Sequence, residues 1–204
     1  TYIPATRFLR GEKNNAMACP HLLGGVRWQP PSYNPTKNLF YSVGTDGCFS
    51  LDLITVTALP GGGIDPAGPG GMFGALFGAG PGQPKSSELG GAITAYNVST
   101  GKVTAKLKTK YHILSGALTT AGGLLFTAHL DGAVTAHDDE TLAELWRFDT
   151  GISIKAPPIA YAVGNRQFIA VIAGGGFPGT GFPNTYWPEL VNMTPGGAVY
   201  VFAL

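Results

Sequence analysis

The chain has 204 residues, with 31 Gly and 16 Pro against 44% hydrophobic side chains, so it is rich in turns yet has ample material for a core. That balance excludes the low-hydrophobicity, high-charge composition of a disordered chain. A formal net charge of +1, from 13 basic and 12 acidic residues, leaves no electrostatic footprint for nucleic acid or for an anionic membrane surface.

The N-terminus lacks the charged and apolar regions of a signal peptide, and no apolar run approaches the roughly 20 residues needed to cross a bilayer. Either the chain is cytosolic or an exported beginning lies elsewhere. Cys19 and Cys48 are the two cysteines, without the close spacing of a zinc or haem motif. The plainest reading is a pair of buried thiols; a bridge between them would suit an oxidising compartment.

Gly24 to Pro35 is a Trp- and Pro-containing stretch. Residues 60–85 are dominated by Gly, Pro and small apolar side chains, and read as a long loop or insertion. Beyond them the segment Gly91-Ala92-Ile93-Thr94-Ala95 recurs as Gly132-Ala133-Val134-Thr135-Ala136, and Thr100 recurs as Thr141, each pair 41 residues apart. A period of about 40 to 45 residues is that of a four-stranded propeller blade. Weaker echoes begin at Gly47 and Gly197.

The clearest unit predicts strands over Leu118–Thr120, Leu124–Leu130, Ala133–His137 and Glu144–Phe148. Asp131-Gly132 reads as a two-residue hairpin turn with positive φ at both positions. Asp138-Asp139-Glu140 reads as a solvated turn, in which Asp bonds its own backbone. After Pro157-Pro158, Ile159–Val163 and Phe168–Ala173 continue as strands, the second apolar throughout and suited to burial on both faces. The four histidines show no helical ligand spacing, and the turn does not place His129 opposite His137, which disfavours a histidine metal site. Gly174 to Gly179 fits G-x-G-x-x-G, but Pro178 argues against the helix that a dinucleotide site requires. The predicted fold is all-β: about three to four blades of a propeller, too few to close a ring, so that a partner must complete the circle.

Gly24-Gly25-Val26-Arg27-Trp28-Gln29-Pro30-Pro31-Ser32-Tyr33-Asn34-Pro35 resembles a signature of the quinoprotein methanol and ethanol dehydrogenases. Ser115 to Phe126 with Asp131-Gly132 is similar to that family's tryptophan-docking unit, completed by Leu145-Trp146-Arg147-Phe148 and continued by Ile154-Lys155-Ala156-Pro157-Pro158 and Phe168-Ile169-Ala170-Val171. The resemblance covers roughly residues 19–53 and 90–204. It implies an eight-bladed, tryptophan-docked propeller of which this chain supplies the last few blades and the closing strand. It also implies alcohol oxidation by hydride transfer to pyrroloquinoline quinone (PQQ), with a Ca²⁺ or lanthanide ion, in the periplasm, and electrons passed to a c-type cytochrome.

On this resemblance the cofactor-binding candidates are Arg27, Trp28, Phe177 and Phe182. Arg27 stands on the matching strand where the family usually has Asn; it either takes a ligand carboxylate, blocks the site, or pairs with a surface acid. Trp28 and Phe177 each have a second reading as packing aromatics, whereas docking into the core is the stronger reading of Trp146. Because adjacent strand residues face opposite sides, Arg27 and Trp28 meet one ligand only where the strand ends or bends. The family's Asp base, its amide metal ligand, its vicinal disulfide and its ring-polarising Lys or Arg have no matching positions here, so no catalytic or metal residue is assigned. Thr100 to Ala105 has Ala in place of the docking Trp, and the second copy has Leu142 in place of Gly. The implied partners are an N-terminal propeller portion or large subunit, a c-type cytochrome and a small alcohol. The competing reading is a non-enzymatic propeller scaffold that binds proteins in the cell envelope.

Overall fold

The structure, a computed structural model, describes residues 16–18, 20–21, 25–53, 79–81, 89–174, 187–193 and 195–204. The chain divides into two compact units, residues 1–22 with 47–88, and residues 23–46 with 89–204. Strands are numbered in chain order. In the smaller unit β1 (Ala16–Ala18), β4 (Phe49–Leu53) and β5 (Ala79–Pro81) form an antiparallel sheet in the order β1-β4-β5. Three residues of the Gly/Pro-rich segment are therefore strand, and the rest of 60–85 lies outside the described residues.

Cys48, just before β4, is disulfide-bonded, and no cysteine is free among the described residues. The other cysteine of the sequence, Cys19, follows β1 directly and lies outside the described residues. The reading of two buried thiols is thereby corrected. The physical reason is register: β1 and β4 run antiparallel with Ala18 opposite Phe49, so the two chain directions bring position 48 back beside the end of β1. Sequence separation alone does not reveal that approach.

The larger unit holds three sheets. The first joins β2 (Ser32–Asn34), β3 (Leu39–Asp46), β6 (Gly90–Asn97) and β7 (Val103–Thr109) in the order β2-β3-β6-β7. The second is an up-and-down meander of β8 (Leu118–Thr119), β9 (Leu124–Ala128), β10 (Ala133–Asp138) and β11 (Glu144–Asp149), close to the predicted strands. The third joins β12 (Ile159–Val163), β13 (Arg166–Ala173) and β14 (Ala198–Ala203). The 41-residue repeat falls on β6 and β10, the third strand of each four-stranded sheet.

Alternation along the strands gives each sheet two working faces. Leu39, Tyr41, Val43, Ile93 and Ala95 of the first sheet pack with Ile113, Ala117, Leu125 and Leu142. Phe126, Ala128, Val134 and Ala136 point the other way and pack with Ile154, Ile169, Val171 and Ala173. The sheets are thus stacked as propeller blades. Their inner edges are β2 and β8, which touch through the 2.6 Å hydrogen bond between the Ser32 and Thr119 hydroxyls. Trp146, on the outer strand of the second blade, docks edge-on against Phe202 of β14 at 5.0 Å. It stays 38% exposed, so it bridges two blades at their rim rather than filling a sealed core.

Three local readings change. The connection after β9 has three residues: His129 N donates to Ala133 O (2.9 Å), Gly132 N donates to His129 O (3.1 Å), and of Asp131 and Gly132 only the latter has positive φ, at 88°. This is the turn-plus-bulge hairpin, which needs one left-handed residue instead of two. Leu142 holds φ 61° where the repeat would place Gly, a conformation that disfavours a branched side chain. Burial of that side chain in the inter-blade core offsets the strain. The Asp138–Glu140 turn is solvated only in part. Asp138 accepts from Thr141 N at 2.8 Å as expected, but Asp139 is fully buried and reaches the preceding blade. It accepts from Asn34 Nδ2 at 2.7 Å and pairs with Lys37 Nζ at 2.6 Å, an interaction that raises the Lys37 pKa above its ordinary value.

Asp139→Ala leaves the Asn34 amide without its acceptor and Lys37 with Glu140 as its remaining acidic partner, so it is expected to destabilise the protein by about 1–3 kcal/mol. Asp138→Ala, which loses only an exposed turn, is expected to cost less. Urea unfolding of both variants checks the order; equal effects would contradict the inter-blade role.

Candidate functional site

Each blade is preceded by a lead-in segment that climbs to its inner strand: residues 25–31, 111–117 and 152–158. When these are aligned on the strand starts Ser32, Leu118 and Ile159, the residues Pro30, Gly116 and Pro157 become equivalent. They also meet in space. A Cβ placed on Gly116 would lie 2.7 Å from Pro30 Cγ and 3.0 Å from Pro157 Cβ, so the three segments converge where only a glycine fits. Ala117 N donates to Pro30 O (2.9 Å), and the buried Gln29 Nε2 donates to Ile113 O (3.3 Å). The pseudo-symmetry extends outward, since Ile113 N donates to Gly44 O and Ile154 N to His129 O, each at the end of the preceding blade's second strand.

Arg27 and Trp28 lie in the first lead-in segment, on a bend and not on the strand that the resemblance implied. The bend is held by Thr45 N donating to Gly25 O (2.9 Å), and a methyl on Gly44 would overlap that same carbonyl oxygen. Gln29 Oε1 accepts from Arg27 N at 2.8 Å, which curls the backbone and lets the two side chains share one side. The Arg27 guanidinium sits 4.5 Å from the Trp28 ring centroid, and the indole is 60% exposed. The two side chains thus form a cation–π pair at the surface. Phe177 and Phe182 lie outside the described residues; the chain enters their segment from Gly174, whose N–H donates to Ser153 O of the third lead-in at 2.9 Å.

On the far side of that segment Trp187 is buried against Tyr111 (5.6 Å) and His112 (4.8 Å) and covers Leu114 of the second lead-in. The following 3₁₀ helix, Pro188–Asn192, is tied down by Glu189, which pairs with Lys110 at 2.7 Å and accepts from the Tyr111 hydroxyl at 3.1 Å. Lys155 stands on the third lead-in, half-buried, and burial draws its ammonium down to about 8. A cleft of about 140 Å³ on the first blade is lined by Gly25 and Val26 together with residues including Gly44, Asp46, Tyr96 and Lys106, but not by Arg27 or Trp28. It is smaller than the roughly 300–1,000 Å³ of ordinary ligand pockets and does not suit a tricyclic ring.

His129 and His137 do not face each other directly, but both reach Thr135: each Nε2 lies 2.9 Å from its Oγ1. His137 Nδ1 lies 3.1 Å from Leu142 O, which can only accept, so Nδ1 carries the proton and Nε2 accepts from Thr135. The single hydroxyl proton being used, Thr135 accepts from His129 Nε2–H. The spacing of the sequence did not suggest this relay, because it is built diagonally across a hairpin. Burial pulls His129 down to about 4 and lowers His137 as well. Among the described residues no three His, Cys, Asp or Glu side chains gather as metal ligands.

A histidine that is harder to protonate when folded stabilises the fold fully above its unfolded pKa of about 6.5, and that contribution is lost as pH falls toward 4. Between pH 6.5 and 5 the unfolding free energy is therefore expected to drop by up to about 1.4 kcal/mol per pH unit for each such group. His129→Gln should flatten that slope in urea titrations; an unchanged slope would contradict the neutral relay.

Stacked up-and-down blades with converging lead-ins define the class, a sector of a β-propeller. Residues 86–169 match the PQQ family model described as the glucose/ethanol/alcohol dehydrogenase β-propeller domain, and this part of the chain belongs to that propeller family. The 1-butanol dehydrogenase (quinone) of Thauera butanivorans is 29% identical over 185 residues, 91% of this chain and 28% of the relative. A lanthanide-dependent methanol dehydrogenase of Methylorubrum extorquens is 30% identical over 169 residues, 82% of this chain and 27% of the relative. A solved europium-containing methanol dehydrogenase superposes with a TM-score of 0.73 at 26% identity, over 99% of this chain and 37% of that one. The chain thus spans little more than a quarter of the length of these curated relatives, 27% and 28%.

Proposed function

We propose that this chain forms the Arg27–Trp28 side of the cofactor site in a PQQ-dependent alcohol dehydrogenase, within a propeller that other polypeptide completes. The observation that carries the reading is the exposed indole overlaid by a guanidinium at 4.5 Å, beside the point where three lead-ins converge. PQQ is a planar tricarboxylate, and these residues fit it: Trp28 offers a flat apolar face and Arg27 a fixed cation for a carboxylate. Phe177 and Phe182 are proposed as further walls of the same site. When bound, the quinone supplies the two-electron acceptor for a small alcohol, beside a Ca²⁺ or lanthanide ion whose ligands are assigned to polypeptide outside this chain.

The chain's own residues bind and orient. Gln29 sets the Arg27 backbone, Gly44 admits the bend, and Trp187 with Leu114 closes the neighbouring lead-in against water. No described residue is given the role of proton acceptor. No helix of the described residues is long and apolar enough to cross a membrane. The disulfide at Cys48 supports an oxidising compartment, which accords with the proposed periplasmic setting and with a c-type cytochrome as electron acceptor.

Protein purified with its accompanying polypeptides is expected to carry quinone absorbance and to oxidise small alcohols with an artificial dye. Trp28→Ala should weaken PQQ retention by about ten- to a hundredfold, from lost stacking and cation–π contact. A colourless complex without alcohol oxidation would instead favour a scaffold.

A further inference from the structure

The cleft on the first blade is lined wholly by residues of the larger unit, and its floor is the sheet face turned away from the second blade. Tyr41, Val43, Ile93 and Ala95 point into the inter-blade core, so alternation turns Ser42 of β3 and Ala92 and Thr94 of β6 to the opposite side. Ser42 and Thr94 stand directly opposite each other in the register, and Lys106 of β7 faces Thr94 in turn. Both residues line the cleft, at 5% and 7% exposed, and among the described residues neither hydroxyl has a hydrogen-bond partner. Neighbouring hydroxyls screened from bulk water and left unpaired are a polar spot that a ligand completes.

We propose that this cleft binds a small neutral alcohol, whose hydroxyl is held between Ser42 and Thr94. Size sets one limit. An apolar cavity of about 150 Å³ holds benzene, so about 140 Å³ restricts the occupant to about six heavy atoms. Charge sets another, because the lining carries one carboxylate and one ammonium, Asp46 and Lys106, paired at 3.1 Å. Lys108, outside the lining, reaches the same carboxylate from solvent at 3.6 Å. An anion entering the cleft would meet Asp46, and a cation would meet Lys106; a neutral molecule avoids both. Hydrogen bonding sets the third, since one group that both donates and accepts can serve two hydroxyls at once. Ala92 and Tyr96 add apolar wall for a short alkyl chain. The Gly25–Val26 wall continues into Arg27, so the cleft adjoins the bend without including its side chains. The site stands whether or not the chain holds PQQ.

The test titrates the protein, purified with its accompanying polypeptides and stripped of cofactor, with 1-butanol and with its isomer diethyl ether, which accepts a hydrogen bond but donates none. Binding is read by saturation-transfer NMR. Butanol is expected to bind at millimolar concentration and the ether about fivefold or more weaker, the range of one hydrogen bond. Ser42→Ala and Thr94→Val, which keep the shape, should each weaken butanol about fivefold, and Ala92→Leu, which fills the floor, should abolish its binding. Butanol binding unchanged in all three variants would overturn the proposal, because the alcohol would then sit elsewhere. A cleft that holds water only, equal binding of the ether, or tighter binding of acetate or potassium ion would also overturn it. Each of these failures leaves the functional reading standing, which quinone retention tests separately.

Discussion

The constraint behind the larger unit is that a twisted antiparallel sheet with apolar side chains on both faces must be covered on both. In the second blade this is satisfied: one face packs through Leu125 on the first blade, the other through Phe126, Val134 and Ala136 on the third. The third blade is different. Its face toward the second is buried through Ile169 and Val171, but Ile159, Val163, Ile172, Val199 and Val201 are 50% to 66% exposed on the other side. β14 is also an edge strand among the described residues. An exposed apolar face beside an edge strand is a surface for further sheet. Relatives several times the length of the matched region have the material to cover it.

The same stacking positions the site. Blades that repeat about an axis bring their lead-ins to one place, and Gly116 marks how closely: Pro30 and Pro157 leave no room there for a methyl group. The outer rims are tied by the Trp146–Phe202 contact, while the ends are tied by Asp139 with Asn34 and Lys37. The lead-ins are therefore anchored at both ends where they converge, an arrangement that would hold the proposed cation and aromatic plate ready for a rigid ring.

Strand positions were legible because alternation and turn residues are local signals, and the 41-residue spacing exposed the blade directly. What escaped depends on distance through space. Cys48 needed the β1–β4 register, and Asp139 looked like turn chemistry because its partners, Asn34 and Lys37, lie some hundred residues earlier. Arg27 and Trp28 stood out in the sequence as part of a motif, but their bend depends on Gln29 folding back on the Arg27 N–H. The convergence of the lead-ins required the Pro30–Gly116–Pro157 contact, which no one-dimensional spacing contains.

The claim on which the rest depends is that the open face of β12, β13 and β14 is an interior surface of a larger wheel. Sedimentation velocity on the 21.2 kDa chain, separated from all other polypeptide, tests it most directly. The account expects self-associated or precipitating material, because that apolar face is then left to water. A monodisperse monomer that melts cooperatively would contradict it.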